Sequence, residues 1–222
     1  TANIAHEIRN PLSAISHAAE LLREEKRSEG QARLSRIIND NAQRLERLVR
    51  DVLELGRRDR ASRETIRLAG FLESFLEELA MHERIDRSDF ALTVEDDAAL
   101  HFDRTHLNQV MWNLLSNARR YCSGKPGAVR IEASNLLSSG RVELHIIDDG
   151  AGVGEEACGK IFEPFFTTHG KGTGLGLYIA RELCEANDAV LEWVGNAPGA
   201  HFRIIGRNQQ WQENRNAGKS RD

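Results

Sequence analysis

Apolar residues recur at helical spacing through the first quarter of the chain. Ile4, Ile8, Leu12, Ile15, Ala19 and Leu22 follow one another at intervals of four, four, three, four and three. Leu34, Ile38, Asn41, Leu45, Leu48, Val52 and Leu55 then alternate four and three throughout. Both runs keep close to the period of about 3.5 that marks packed helical bundles, so they predict two helices. The break between them, Lys26-Arg27-Ser28-Glu29-Gly30, is short enough to fold them antiparallel. A hairpin with one narrow stripe on each helix cannot cover its own apolar surface. A homodimer whose two hairpins form a four-helix bundle is therefore expected; the alternative is a hairpin packed on the rest of its own chain.

The charged stretch from Arg57 to Glu64 has only Ala61 as an apolar anchor, and the domain boundary is placed there. Beyond it, helical patterns (Phe71 to Met81, Thr105 to Tyr121, Gly174 to Asn187) are interspersed with strand patterns. The strands fall at Phe90 to Glu95, Leu100 to Phe102, Val129 to Ser134, Val142 to Ile147, Val190 to Val194 and Phe202 to Ile205. Strands interrupted by helices predict an α/β sandwich with helices on one face of a mixed sheet. The organisation expected is a helical dimerisation domain over residues 1–60, an α/β domain over 61–207, and a polar, disordered tail over 208–222.

Composition narrows the classes. Of 222 residues, 40% are hydrophobic and 29% charged, which is the profile of an ordinary globular chain. Net charge is −4 and the basic residues are interleaved with acids, so nucleic-acid binding is not expected. Cys122, Cys158 and Cys184 lie far apart with no CxxC pair, as reduced thiols do. No apolar run reaches the roughly 20 residues of a membrane span, so this stretch is expected to make no direct membrane contact. The chain opens at Thr1 inside a helical pattern, and it is read as a cytoplasmic piece of a longer protein.

The segment His6-Glu7-Ile8-Arg9-Asn10-Pro11 carries candidate chemistry. At 100° per residue His6 stands about 160° from Ile4 and Ile8, away from the seam, with Asn10 one turn on and Glu7 beside it. Pro11 lacks an N–H and leaves the Glu7 carbonyl without its usual helical partner. An exposed imidazole can attack phosphorus with one nitrogen while a carboxylate such as Glu7 takes or holds the proton on the other. The metal motif HExxH fails, because Asn10 stands where the second ligand is required. An isolated surface histidine carries little weight. His17, eleven residues on, returns to within about 20° of the same face without a following Glu or Pro.

Three further segments fit a nucleotide pocket. Asn113 and Asn117 share one helix face, with Leu114, Leu115 and Ala118 turned to a core; a side-chain carbonyl suits Mg²⁺, which prefers phosphate oxygens and water for its remaining ligands. Local helix hydrogen bonding is the plainer account of those asparagines. The run ending Asp148-Asp149-Gly150-Ala151-Gly152 delivers a carboxylate to a strand end, where it can accept from an adenine amino group. Gly170-Lys171-Gly172-Thr173-Gly174-Leu175-Gly176-Leu177 can wrap phosphates with backbone N–H groups ahead of a helix. It is neither the dinucleotide fingerprint nor a Walker A loop. Between them, Phe162, Phe165 and Phe166 suggest a lid pinned by aromatic burial, or else a plain core cluster.

With the five segments in this order, the chain resembles the histidine kinases of two-component systems. His6 to Pro11 is similar to their H box, Asn113 to Tyr121 to the N box, and Asp148 to Gly152 to the G1 box. Phe162 to Phe166 is similar to the F box, and Gly172 to Leu177 to the G2 box. The wording AHEIRNPLSAISHAAELL and FFTTHGKGTGLGLYIARELCEAN resembles the PilS branch, the sensors of type IV pilus transcription; the NtrB nitrogen sensors are more loosely similar. The resemblance implies a dimeric four-helix bundle followed by a Bergerat-type (GHKL) ATP-binding α/β sandwich, with ATP and Mg²⁺ as cofactors. It implies His6 as phosphoacceptor, Glu7 as its proton partner and Asn10 as orienting group in transfer and phosphatase reactions. Asn117 would hold Mg²⁺ with Asn113 near the phosphates, and Arg120, where the family often has Lys, would contact phosphate. Tyr121 would lie by the nucleotide and Asp148 would read the adenine amino group. Gly150, Gly152, Gly172, Thr173, Gly174, Gly176 and Leu177 would line the pocket and lid. The short span from Val153 to Lys171 implies a compact lid. The partner implied is a response-regulator receiver domain, of a PilR-like activator, and the full-length protein is expected in a bacterial inner membrane. Two readings share part of this pattern: an ATPase of the gyrase and chaperone type, which has no need of the His6-Glu7 hairpin, and a non-catalytic dimerising scaffold.

Overall fold

A computed structural model describes residues 2–24, 28–55, 61–136, 139–169 and 172–208. The predicted turn at Lys26-Arg27, most of the linker from Arg57, Lys171 and the tail from residue 209 fall outside the described residues. The chain divides into two compact units, 1–56 with 163–175, and 57–162 with 176–222.

In the first unit, α1 (Ala2–Glu24) packs against α2 (Ser28–Leu55). The seam expected on α2 is the inward one: Leu34, Ile38, Asn41, Leu45 and Val52 are half-buried and Leu48 is 1% exposed. Asn41 sits in that seam because its Nδ2 donates to its own helix, at the Ile37 carbonyl (2.8 Å). The seam expected on α1 needs correction. Leu12 is 52% exposed, and Pro11 and Ala18 are buried in its place. Ile8, Ile15 and Leu22 of the expected line stay half-buried, and between them Pro11 and Ala18 take the inward places expected of Leu12 and Ala19. Leu12 and Leu21 on α1, and Val49 and Leu53 on α2, are left exposed.

The second unit is the α/β sandwich. Strand β1 (Arg63–Arg67) pairs with β3 (Ala99–Asp103), and β2 (Phe90–Val94), β4 (Val129–Leu136), β5 (Arg141–Asp148), β7 (Ala200–Arg207) and β6 (Val190–Asn196) form a five-stranded sheet in that order. Only β2–β4 is parallel; the other pairs are antiparallel. Alternation decides the faces. Val142, Leu144 and Ile146 on β5, Ile131 on β4 and Ile204 on β7 are buried. Over this face lie α4 (Arg104–Tyr121), with Leu107, Val110, Met111, Leu114 and Leu115 buried, and, after the single-turn α5 (Glu155–Cys158) in the chain, α6 (Gly176–Ala186), with Ile179 and Leu183 buried. α3 (Leu68–Glu83) packs beside β1 and β2. On the other face Arg203 bonds Glu143 (3.0 Å) and Glu192 (2.7 Å from Nε), and the His145 and His201 rings meet at 2.8 Å.

Strand β1 escapes the sequence pattern because only Ile66 of its five residues is buried. Charge fixes it instead: Arg63 pairs with Asp188 and donates to the Ala186 carbonyl (2.8 Å) at the end of α6, and Glu64 pairs with Arg104 (2.6 Å). Asp103 caps α4, accepting from the N–H groups of Thr105 (2.9 Å) and His106 (3.0 Å) through one oxygen and of Ser62 (2.7 Å) through the other. Burial acts to raise its pKa, but these hydrogen bonds and the nearby His106 outweigh it and hold the carboxyl below its ordinary value. A depressed folded pKa stabilises above the unfolded value and is lost as pH falls through the folded one. Asp103→Ala should therefore destabilise the sandwich by about 1–2 kcal/mol at neutral pH, and the gap to wild type in thermal melts should narrow on acidification.

Candidate nucleotide site and phosphoacceptor helix

The ends of α4 and β5 meet, with Gly150 against the Tyr121 carbonyl and Ser123 bonded to Asp149. Asn113 and Asn117 are half-buried one turn apart on α4, whose Leu114, Leu115 and Ala118 are driven into the core. Asn113 Nδ2 is buried without a hydrogen-bond partner among the described residues. Gly176 stands beside it: a Cβ there would lie 3.5 Å from Asn113 Oδ1. An orphaned amide donor beside a Cβ-free helix start suits a phosphate oxygen. Arg120 and Tyr121 close the helix, both exposed, and Leu177 is half-buried on α6.

Asp148 is buried at the end of β5. Its Oδ1 accepts from the N–H groups of Gly150 (2.9 Å) and Ala200 (3.1 Å), and the Gly199 N–H donates to its carbonyl (2.9 Å). Among the described residues its Oδ2 takes no hydrogen bond, so one carboxylate oxygen is left to accept from a ligand. Desolvation raises its pKa above the ordinary carboxylate value, the two amides lower it in part, and the neighbouring Asp149 charge raises it further. Asp149 goes the other way, held low by the Ser123 hydroxyl (2.6 Å) and amide (2.7 Å).

The backbone comes too close here for side chains. A Cβ on Gly150 would come within 2.9 Å of the Tyr121 carbonyl group, and one on Gly199 within 2.6 Å of the Asp148 carbonyl oxygen and the Gly150 nitrogen. Gly152 has φ 74°, and a Cβ would be within 2.8 Å of the whole Asn196 amide. Ser123, Asn196, Gly199 and Ala200 escape a motif search. The turn signal Gly195-Asn196-Ala197-Pro198-Gly199 between two strands was the available clue.

Gly172, Thr173 and Gly174, expected to line the lid, belong to the other unit, with the hairpin. Thr173 Oγ1 donates to Asp51 Oδ2 (2.8 Å), and Phe165 N–H donates to the Gly174 carbonyl (2.9 Å). Phe165 adopts φ 69°, and Gly174 (φ 72°) lies against its backbone where a Cβ would clash. Of the three phenylalanines none is fully buried; Phe162 is held edge-on by Phe202 (6.3 Å) and under the Arg181 guanidinium (5.4 Å).

On α1, which stays helical through Pro11, the His6 side chain lies outside the described residues. Glu7 is not free beside it: the carboxylate is half-buried and pairs with Arg44 of α2 (3.3 Å). Asn10 is exposed one turn on.

A histidine-bearing helical hairpin joined to a mixed-sheet sandwich, with Asn and Asp-Gly residues at one strand end, defines a phosphoacceptor module coupled to a GHKL-type ATPase module. Residues 1–61 match the His Kinase A (phospho-acceptor) domain, and residues 102–207 the histidine kinase-, DNA gyrase B- and HSP90-like ATPase. The sensor protein kinase PilS of Pseudomonas aeruginosa is 41% identical over 92% of this chain and 39% of its own length. The sensor histidine kinase ZraS of Escherichia coli K12 is 30% identical over 86% of this chain and 41% of its own. Two solved structures overlay closely. The histidine kinase ThkA in complex with the response regulator TrrA has TM-score 0.69 and 26% identity, over 92% of this chain and 60% of that one. ShkA in complex with AMPPNP has TM-score 0.61 and 27% identity, over 92% and 44%. The chain belongs to the two-component sensor histidine kinases, and it spans about two fifths of the length of the sensor relatives it matches.

The raised pKa of Asp148 carries a sign. A pKa raised by folding gives stability that is present below the unfolded value and lost as pH rises through the folded one. Asn keeps the oxygen that Gly150 and Ala200 use and removes the charge. Asp148→Asn should thus raise the melting temperature of the nucleotide-free protein at neutral pH, and the advantage should vanish as pH is lowered past the ordinary carboxylate range.

Proposed function

We propose that this core transfers the γ-phosphoryl group of Mg-ATP to His6 and passes it on to an aspartate of a response-regulator receiver domain. The observation that carries this reading is the pairing in one chain of a phosphoacceptor-domain match containing His6-Glu7 with an ATPase-domain match containing Asn113, Asn117 and Asp148. An ATPase of the gyrase and chaperone type has no use for the first, and a scaffold has no use for the second. In the transfer one imidazole nitrogen bonds the γ-phosphorus as the bond to the β-phosphate bridging oxygen breaks, and ADP leaves. Glu7 takes or holds the proton on the other ring nitrogen, with Arg44 fixing the carboxylate. Asp148 Oδ2 accepts from the adenine amino group, Asn113 Nδ2 donates toward phosphate, and Arg120 and Tyr121 stand at the rim. Mg²⁺ would be held by Asn117 and would neutralise phosphate charge; the protein's share of its ligands is small, as Mg²⁺ sites on nucleotides require. Positioning and charge do most of the work of such a transfer.

The exposed Leu12, Leu21, Val49 and Leu53 favour a second copy, giving a four-helix dimer. The ThkA complex supports a receiver domain as partner, and the PilS likeness supports a PilR-like activator. Asn10, exposed one turn from His6, would orient water for a phosphatase reaction. Among the described residues no helix is long and apolar enough to cross a membrane. The inner-membrane placement of the whole protein rests on its sensor relatives.

His6→Gln should bind ATP as wild type does and take no acid-labile, base-stable label from γ-labelled ATP; label that persists overturns the assignment. Asn117→Ala should weaken Mg-ATP binding at least about tenfold while the protein stays dimeric by light scattering.

A further inference from the structure

The 148–153 turn is held from outside as well as from its own strand. Asn196, at the end of β6, faces Val153 with its whole amide: the Val153 N–H donates to Asn196 Oδ1 (2.8 Å), and Asn196 Nδ2 donates to the Val153 carbonyl (2.9 Å). Only one orientation of the side-chain amide satisfies both groups, so the pair acts as a two-point clamp on a single residue's backbone. Three residues later the same β6–β7 turn reaches the other end of the loop, where Gly199 and Ala200 donate to Asp148. The loop is thus gripped at Asp148 and at Val153, on both sides of Gly150, by one short hairpin turn. Between the grips Gly152 presses its Cβ-free face on the Asn196 amide.

We infer that Asn196 is a positioning and base-selecting residue of the nucleotide site, acting through the Asp148-to-Val153 turn. The inference rests on the proposed reading of Asp148 as the acceptor for adenine. An acceptor selects a base only if it stays where the exocyclic amino group of the right base arrives; a tilted turn contacts every purine equally badly. Asp148 fixes only the start of the turn, through its own strand. The far end, Ala151 to Val153, has no strand partner, and Asn196 supplies what a strand would supply. Asn196 is itself exposed, so its amide adds little to the core that holds the domain together. Its loss should fall on nucleotide geometry.

The test uses the whole 222-residue chain with ATP and GTP as probes. Asn196→Ala should weaken ATP binding about fivefold to tenfold, raise KM for ATP in His6 labelling with little loss of kcat, and shrink the preference for ATP over GTP. Asn196→Asp, which keeps the oxygen that the Val153 N–H meets and loses only the donor to the Val153 carbonyl, should recover part of the preference. The clamp is also read without nucleotide: the Val153 amide should exchange hydrogen slowly in the wild-type protein, and fast in Asn196→Ala. An unprotected Val153 in wild type, or an unchanged ATP affinity and base preference in Asn196→Ala, overturns the inference. Asp148→Asn separates the two claims. If it leaves the base preference intact, the adenine reading falls and takes this inference with it; if it abolishes the preference while Asn196→Ala does not alter it, only the role of Asn196 is lost.

Discussion

Everything in the sandwich's site refers to one buried carboxylate. Asp148 can sit at a strand end away from water because two amides, from Gly150 and Ala200, reach one of its oxygens. They reach it because glycine stands where a Cβ would strike the backbone opposite. The end of α4 is drawn into the same knot, since Gly150 lies against the Tyr121 carbonyl and Ser123 holds Asp149. Burial still disfavours the charge, as the raised pKa records. The site therefore stores a cost in its empty form that a donor to Oδ2 would relieve, the usual pattern for a group kept for binding.

Much of this was legible. The alternation of β5 placed Asp148 at a strand end, and the α4 pattern put Asn113 and Asn117 on one face with Leu114 and Leu115 beneath them. The hidden parts share a cause. Backbone donors carry no residue signature, so nothing in the letters Gly199-Ala200 announces that their N–H groups meet a carboxylate fifty-two positions earlier. Asn196 is an ordinary turn residue until Val153 is placed opposite. Likewise, helical periodicity shows which positions of α1 are apolar but not which of two adjacent ones α2 will cover, hence the exchange of Leu12 for Pro11 and of Ala19 for Ala18. β1 was lost to its charges, which serve as its fastenings.

The hairpin shows the complementary limit. Adjacency in sequence set Glu7 beside His6, yet a carboxylate on a helix is as much a neighbour of the facing helix as of the next residue. Arg44 takes it at 3.3 Å with both side chains about three-quarters covered. That pairing changes what Glu7 can do in the proposed chemistry. A carboxylate tethered by a guanidinium is oriented and keeps its acceptor character, which suits holding a proton on imidazole better than carrying it away.

The lid segment is built from weaker fastenings than either. Among the described residues its fastenings include loop hydrogen bonds from the Phe165 N–H to the Gly174 carbonyl and from the Gly172 N–H to the His169 carbonyl, with the Thr167 hydroxyl meeting both the carbonyl and the N–H of His169. In the same unit the Thr173 hydroxyl donates to Asp51 of α2. Elements held this way open at small free-energy cost. Glycine is needed at Gly174, where the Phe165 backbone comes too close for a side chain, and at Gly172, where a Cβ would lie 2.7 Å from the Thr167 hydroxyl oxygen. On the proposed reading, Thr173 cannot keep Asp51 and also turn its hydroxyl to a phosphate.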